Sequence, residues 1–332
     1  MNPSTHALRW AWFLMVLGAA TVLLGTAAGS QGWQAWWLSA DDAVSRQIVL
    51  DIRLPRSLGA WLGGGLLGLA GAVAQGLFRN PLADPYLLGS ASGASLGVGT
   101  YWSLLGGSAW AMNGWMGLGL TGAAFVGAVL AVLLTLVLAR GVQQTLRLLL
   151  AGVVVGVVLG AVTSMMSLLQ PQVQQAMQGF MLGSTAFVSW TACATMASVL
   201  VVGVVLAWVF ARVLDALTLG EATAQSLGVP LRWARLVLVG VISLATGAAV
   251  AHIGLVAFVG LAAPHLVRTL VRSTHAWHVC LAALMGGALL ALADVMARVL
   301  FAPQELPVGV LTAVLGGGYL LWRVYRGSGG AR

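Results

Sequence analysis

The sequence has 332 residues, of which 60% are hydrophobic and 7% are charged, and its mean hydropathy is +0.96. Soluble domains carry about 25% charged residues, so this composition excludes an ordinary soluble fold. A formal charge of +8 would indicate a nucleic-acid partner in a soluble protein, but membrane proteins concentrate basic residues in cytoplasmic loops, and we predict no nucleic-acid partner.

The 16 residues counted as Lys or Arg are all Arg. A Walker A loop needs a Lys that reaches the terminal phosphates of ATP, so this chain contains no such loop. We therefore predict that the chain is not an enzyme and that any ATP that drives it binds to another subunit. Cys193 and Cys280 lie in apolar stretches and are predicted to be packed residues, with no catalytic site, metal site or cofactor.

Apolar stretches recur along the whole chain at lengths that suit membrane crossings, which need about 20 residues each. We predict an all-α integral membrane protein that forms one domain over residues 1–332 in membrane lipid. Its ten spans lie at about 10–28, 56–78, 87–106, 117–138, 147–169, 190–211, 233–252, 255–271, 278–297 and 308–325. The first span ends in small residues, as a signal peptide does, but its removal would put one terminus on the wrong side.

The charged residues divide unequally between the two sides when both termini are cytoplasmic. Of the 16 Arg, four lie outside, namely Arg46, Arg53, Arg56 and Arg298. The other 12 lie inside: Arg9, Arg79, Arg140, Arg147, Arg212, Arg232, Arg235, Arg268, Arg272, Arg323, Arg326 and Arg332. Asp84, Asp215 and Glu221 lie inside, whereas Asp41, Asp42, Asp51, Asp294 and Glu305 lie outside. This bias agrees with the positive-inside rule and supports cytoplasmic termini.

The two halves of the chain show a weak internal repeat. A shift of 179 residues superposes Arg53 on Arg232, Arg56 on Arg235, Pro85 on Pro264 and several Gly and Ala positions. The shift moves the second span onto the seventh, five crossings later, so the copies would face opposite ways. We predict an inverted five-plus-five repeat, a recurring transporter architecture.

The first segment that departs from apolar helix runs from Arg53-Leu54-Pro55-Arg56 through a Gly-rich span to residues 75–85, QGLFRNPLADP. Pro81 and Pro85 cannot continue a regular helix. Irregular backbone at a membrane edge must be buried in protein or line a watery cavity. We therefore predict a structured cytoplasmic turn here.

The second segment, residues 217–230, is the longest polar interval on the inner side. Helix-forming residues run from Glu221 to Leu227, the charge of Glu221 suits a helix start, and Gly228 suits a helix end. The pattern predicts a short cytoplasmic helix over about 217–229, either a docking element for a partner or an ordinary turn.

The third segment comprises residues 293–298, ADVMAR, and residues 303–309, PQELPVG. Asp294 and Arg298 are four residues apart, so they can pair on one face of a helix.

These segments together resemble the FecCD family of ABC importer permeases, in the family's order from Arg53 to about Tyr325. The resemblance implies a type II importer permease in a bacterial inner membrane. It implies a homodimer with the pathway between protomers, two ATPase subunits inside and a periplasmic binding protein outside. The family carries haem, ferric siderophores or cobalamin. The QGLFRN sequence at residues 75–80 is most similar to that of haem permeases.

Residue roles follow from the resemblance only where a motif matches. Asn80 and Leu82 resemble positions of the loop that closes the cytoplasmic end of the pathway. Arg53, Arg56 and Arg298 resemble the positive residues that receive acidic side chains of the binding protein, and we expect them near the outer surface. The coupling helix that contacts the ATPase is matched by Glu221, Ala222, Leu227 and Gly228. No motif defines the substrate-binding residues.

Two other functional classes remain open at this point. An ion-coupled secondary transporter would place ionisable residues deep in its helices. The only acidic residue within the predicted spans is Asp294, and it lies close to an outer end. A membrane enzyme could use His252, His265, His275 or His278, but the sequence places none of them beside an acidic residue at metal-ligand spacing. His252 and His265 could also contact the cargo.

Overall fold

The computed structural model describes residues 3–29, 32–33, 43–105, 116–139, 145–228 and 230–328. Five residues used in the sequence predictions lie outside these ranges: Asp41, Asp42, Arg140, Val229 and Arg332. The described chain is almost entirely helical. Two short strands, β1 (Ala28–Gly29) and β2 (Gly32–Trp33), pair in antiparallel fashion.

The helices follow one another with short connections. In the first half they are α1 (Pro3–Ala27), α2 (Ala43–Gln47), α3 (Leu54–Phe78), α4 (Ser90–Leu105), α5 (Met116–Leu138), α6 (Thr145–Leu169) and α7 (Pro171–Leu182). In the second half they are α8 (Trp190–Val209), α9 (Ala211–Thr218), α10 (Glu221–Ser226), α11 (Leu231–Ile253), α12 (Val259–Leu270), α13 (His275–Val299) and α14 (Val308–Ser328). A π-helical stretch, Ile48–Arg53, joins α2 to α3, and a 3-10 turn, Pro85–Leu88, precedes α4.

All ten predicted spans fall on helices, which confirms the all-α membrane architecture. By length and composition, seven helical stretches in the described ranges could cross a membrane, and they contain α1, α3, α5, α6, α8, α11 and α13. The other three spans correspond to α4, α12 and α14, which are shorter or less apolar. Helices α2, α7 and α9 were not predicted, because a short or Gln-rich helix lacks the long apolar run that predicts a crossing.

Helix α3 lies at the centre of the fold and is buried over nearly its whole length. It packs against α1, α8, α11, α12 and α13. A Cβ atom on Gly64 would collide with the carbonyl oxygen of Gly286, and one on Gly68 with that of Ala282. Small residues therefore let the backbones of α3 and α13 come into contact, as membrane helices do where lipid supplies no hydrophobic drive.

One pair of long helices agrees with the predicted internal repeat, whose inverted orientation stays a prediction. The shift of 179 residues places α3 on α11, and these two helices also pack against each other. After them the halves differ, because Pro85 begins a 3-10 turn whereas Pro264 lies inside α12.

Candidate functional site

A charge cluster with a buried centre lies at the N-terminal end of α3 and consists of Arg56, Asp294, Arg298 and partly exposed Glu305, which we call the Asp294 cluster. Asp294 and Arg298 lie one turn apart on α13 and form an ion pair, and each side chain is 1% exposed. Arg56 approaches Asp294 through Nε, 3.4 Å from Oδ1, and approaches Glu305 through Nη1, 2.8 Å from Oε2. Thr185 donates its hydroxyl hydrogen to Asp294. Asp294 is thus held from three sides.

Arg298 also joins three helices through its remaining donors. Its Nη1 donates to the carbonyl oxygen of Gly25 at 2.8 Å and to that of Ala28 at 3.3 Å, just past the end of α1. Its Nη2 donates to the Ser57 hydroxyl on α3 at 3.0 Å. A buried guanidinium needs such partners because an unpaired buried charge is strongly unfavourable.

The structure gives the three Arg predicted for docking different positions. The Arg298 side chain is enclosed in the protein and presents no surface to a partner in this conformation, so its position near the outer surface and its docking role stay predictions. The reason for the enclosure is the i, i+4 pair with Asp294, which the sequence pattern had indicated. Arg56 keeps 12% of its side chain exposed, and Arg53 is half-buried with Nη1 donating to the Thr26 carbonyl oxygen at 3.3 Å. Only Arg53 and Arg56 present surface to a partner.

A second charge cluster lies at the opposite end of α3 and consists of Arg79, Glu221 and Arg235, which we call the Glu221 cluster. Glu221, the first residue of α10, has its Oε1 2.7 Å from Nη2 of Arg235 on α11. The same Oε1 lies 3.4 Å from Nη2 of Arg79, which directly follows the last residue of α3. Arg235 is buried, whereas Arg79 and Glu221 are partly exposed. One carboxylate therefore links α10 to α3 and α11.

Helix α10 confirms the prediction of a short helix that starts at Glu221 and ends before Gly228. Gly220 caps it with a φ of 103°, and Gly228 follows it with a φ of 75°, both in the region that favours glycine. Ala224 is fully buried against the protein, while Ala222 and Leu227 are exposed. The helix thus has one face fixed to the protein and one face free, although a contact with an ATPase remains a prediction.

The turn predicted after α3 is present and is ordered by its own side chains. Arg79 adopts a left-handed conformation with a φ of 51°. The Leu82 N–H donates to Oδ1 of Asn80 at 2.9 Å, and the Tyr86 N–H donates to Oδ1 of Asp84 at 2.7 Å. Burial raises the pKa of the Asp84 carboxyl, and the bond from Tyr86 opposes that shift. Leu82 is 55% exposed, so an apolar side chain projects from a rigid turn.

Three of the four histidines predicted as alternatives make ordinary contacts within the protein. His252 Nε2 lies 2.8 Å from the Thr195 hydroxyl oxygen, and the ring of His265 packs edge-on against Tyr319. His275 Nδ1 lies 2.6 Å from Asp215 Oδ1, a pair that sequence reasoning missed because the two residues are 60 positions apart. Among the described residues, no group of three His, Cys, Asp or Glu side chains could hold a metal ion.

A cavity of about 450 Å³ between α4, α6 and α7, lined by both polar and apolar side chains, was not predicted from the sequence. Its lining includes the hydroxyls of Ser92, Ser95, Thr163, Ser164 and Ser167, together with Gln174 and Gln178. The sequence pattern that could have predicted this cavity is the recurrence of hydroxyl residues at helical spacing on α6. Because each α6 hydroxyl donates to a carbonyl one turn earlier, its oxygen still has the capacity to accept a hydrogen bond.

The FecCD transport family matches residues 13–326. The chain is 37% identical over 345 residues to the hemin transport system permease protein HmuU of Yersinia pestis, covering 98% of both chains. It is 37% identical over 321 residues to the vitamin B12 import system permease protein BtuC of Escherichia coli, covering 95% of this chain and 94% of BtuC.

Two solved structures are similar in fold. One, assigned to a metal-chelate type ABC transporter in an inward-facing conformation, matches with a TM-score of 0.84 and 26% identity over 95% of this chain and 98% of that chain. The other, PsaBC from Streptococcus pneumoniae in complex with Fab, matches with a TM-score of 0.56 over 79% of this chain and 88% of that chain. At 17% identity the second shares the fold only.

The Asp294 cluster predicts a large stability loss on removal of Arg298. Arg298→Gln should lower the free energy of unfolding by about 3 kcal/mol or more, because it leaves Asp294 buried without its nearest cation. Thermal unfolding of the purified protein in detergent measures this effect. Arg46→Gln, which changes an exposed Arg on α2, is the matched control and should unfold close to the original temperature. Equal unfolding temperatures for the two variants would contradict a structural role for the cluster.

Proposed function

The chain belongs to the FecCD transport family, and we propose that it is the permease subunit of an ATP-driven importer for haem or a related metal chelate. It is a multi-pass membrane protein of the ABC transporter class, in a family of transport permeases. In this proposal, separate ATPase subunits bind it on the cytoplasmic side, where both termini lie. A periplasmic binding protein delivers the cargo from the other side of the bacterial inner membrane.

The observation that carries the proposal is the position of α10. Its exposed face is free, and its first residue, Glu221, contacts both the end of α3 and the start of α11. A force applied to α10 therefore reaches two central helices through one carboxylate. We assign the ATPase contact to Glu221, Ala222, Leu227 and Gly228.

The cytoplasmic gate is assigned to Asn80 and Leu82. Their turn begins at Arg79, which is bonded to Glu221, so movement of α10 would be felt by the turn directly. The exposed Leu82 side chain supplies an apolar plug that suits a closed end of a water-filled pathway.

The cargo assignment places haem first, with ferric siderophores and cobalamin as alternatives. HmuU is named for hemin and BtuC for vitamin B12, and this chain is 37% identical to each. The preference for haem therefore rests on the QGLFRN segment, residues 75–80. The hydroxyl-rich cavity between α4, α6 and α7 offers acceptors for such polar, chelate-type molecules. We propose that two copies of the chain form a homodimer with the pathway between them.

We assign direct contact with the binding protein to Arg53 and Arg56. Arg298 supports them from within, because it holds Asp294, to which Arg56 is bonded. Partly exposed Glu305 shares Arg56, so an acidic partner residue would compete with Glu305 for the same guanidinium.

An ion-coupled transporter is the second candidate and is less well supported. The acid that would carry its proton or ion, Asp294, is already bonded to Arg298, Arg56 and Thr185. A relay residue has to exchange its partner during transport.

Uptake by the reconstituted complex tests the function. The test uses vesicles that contain this chain and its ATPase, with the binding protein added outside. These vesicles should accumulate haem when ATP is supplied on the side of the membrane where the ATPase lies. They should not do so with a non-hydrolysable ATP analogue. Labelled ferric siderophore and cobalamin are assayed in parallel to identify the cargo. Haem uptake driven by a proton gradient in vesicles without the ATPase would overturn the proposal and favour the ion-coupled transporter.

Charge reversal at Glu221 tests the coupling. Glu221→Arg should uncouple ATP hydrolysis from uptake, because it places three cations together at the junction of α3, α10 and α11. Uptake and hydrolysis are measured on the same vesicles, and Arg147→Glu, an exposed reversal on α6, is the control. Uptake and hydrolysis that both match the unaltered complex would contradict the coupling role, while loss of membrane insertion would contradict the predicted topology.

Charge reversal at Arg53 and Arg56 tests the docking. Arg53→Glu and Arg56→Glu should lower the association rate of the loaded binding protein, since opposite charges mainly accelerate encounter. Added salt should weaken the unaltered complex by screening. Surface-immobilised complex in a kinetic binding assay provides the rates, with Arg46→Glu as the control. Unchanged rates at low salt in folded variants would leave both residues as membrane-edge anchors.

A further inference from the structure

A cavity of about 510 Å³ opens where α3 and α12 end and α13 begins. Its walls include Gln75 and Gly76 near the end of α3, Arg268 and Arg272 at the end of α12, and His278 in the first turn of α13. A Cβ atom on Gly76 would lie 3.2 Å from Cδ2 of His275, so the absence of a side chain there keeps the space open. The lining also includes Arg79 of the Glu221 cluster and Pro81 of the gate turn, whereas none of the residues assigned to docking lines this cavity.

The cavity carries an excess of positive charge. Arg268 and Arg272 are exposed, and neither forms an ion pair with any described residue. The two acids nearby are already engaged: Asp215 bonds to the ring and the backbone N–H of His275, and Glu221 lies between Arg79 and Arg235. Two Arg side chains facing a common concavity suit a phosphate group, which guanidinium binds with paired hydrogen bonds.

Three buried polar atoms point to a ligand independently of the charge. Nε2 of His278, in a residue 4% exposed, Oε1 of Gln75, in a residue 1% exposed, and Oγ of Ser273 have no hydrogen-bond partner among the described residues. All three residues line the cavity. Buried polar groups are nearly always satisfied in folded proteins, so these three atoms require a partner, which is either a ligand or an ordered water. A phosphate oxygen can accept from His278 and Ser273, and a ligand hydroxyl can donate to Gln75.

The position of the cavity favours a lipid as the source of that phosphate. Three helices that belong to predicted spans terminate around it, and the apolar side chains of Leu219 and Leu270 nearby are 64% and 43% exposed. Basic pockets between helices at the cytoplasmic edge of a membrane bind phospholipid headgroups. We propose that this cavity binds the phosphodiester headgroup of an anionic phospholipid, with Arg268 and Arg272 on the phosphate and Gln75 on a headgroup hydroxyl.

Native mass spectrometry of the full chain in detergent tests the site. Phosphatidylglycerol should remain bound at concentrations at which phosphatidylcholine does not. In the double variant Arg268→Gln/Arg272→Gln the apparent dissociation constant should rise about tenfold, as expected for the loss of charge-assisted hydrogen bonds. The double variant Arg147→Gln/Arg212→Gln removes two other exposed Arg from the predicted cytoplasmic side and controls for net charge. It should bind as the unaltered chain does.

Further arms distinguish the sources of the phosphate and allow for a variant that does not fold. Arg272→Gln alone is the fallback and should show a smaller loss in the same direction. The alternative result is that inorganic phosphate binds saturably, in a way that the Arg268→Gln/Arg272→Gln change abolishes. That result would overturn the lipid assignment in favour of a phosphate site that is filled from solution. Equal retention of phosphatidylcholine, or an equal loss in both double variants, would overturn the proposal. Loss of ATPase association with unchanged lipid binding would also overturn it and assign the cavity to the partner subunit.

Discussion

The fold depends on the close packing of α3, a helix that is surrounded by protein along nearly its whole length. Glycine makes this arrangement possible, because the carbonyl oxygens of α13 occupy the space where side chains of Gly64 and Gly68 would lie. In lipid, apolar side chains gain little by leaving one apolar surface for another, so backbone contact and van der Waals packing stabilise the helix pair instead. The remaining helices are arranged around this pair, and the positions of both charge clusters follow from where α3 begins and ends.

The burial of α3 also explains why its ends carry charge networks. Arg56 at one end and Arg79 at the other emerge from a crowded interior, and each meets a carboxylate from a different part of the chain. Removing one partner from the buried Asp294 pair leaves an uncompensated charge, whereas removing a partly exposed partner such as Arg79 leaves a charge that water can reach. The first cluster is therefore suited to fixing helices together, whereas the contact between Arg79 and Glu221, which water can reach, is suited to being exchanged.

Much of this arrangement was predictable because its signals are local. Apolar runs gave the ten spans, and the glycine after a short polar helix gave α10 and its end at Gly228. The i, i+4 spacing of Asp294 and Arg298 indicated their pair, but it did not show that Arg298 is enclosed, since burial depends on neighbours from α1 and α3. Contacts between segments that are distant along the chain leave no pattern in a single sequence from which they could be predicted. The basic cavity needed three chain segments to meet, and no pattern within any one of them revealed it.

Helix α3 connects the two clusters as a single rigid element. Its 25 residues span about 37 Å at the rise of an α-helix, which is comparable to the thickness of the hydrocarbon core. At one end Arg56 shares acids with a surface that we assign to the binding protein, and just past the other end Arg79 shares Glu221 with α10. A partner that draws Arg56 away from Glu305, and a partner that displaces α10, would thus act on the same helix. Because α3 cannot bend into its packed neighbours without disturbing the glycine contacts, displacement at either end is more readily relieved by moving the whole helix. This geometry offers a direct physical route by which events on the two sides of the membrane could depend on each other, without a chain of intermediate residues.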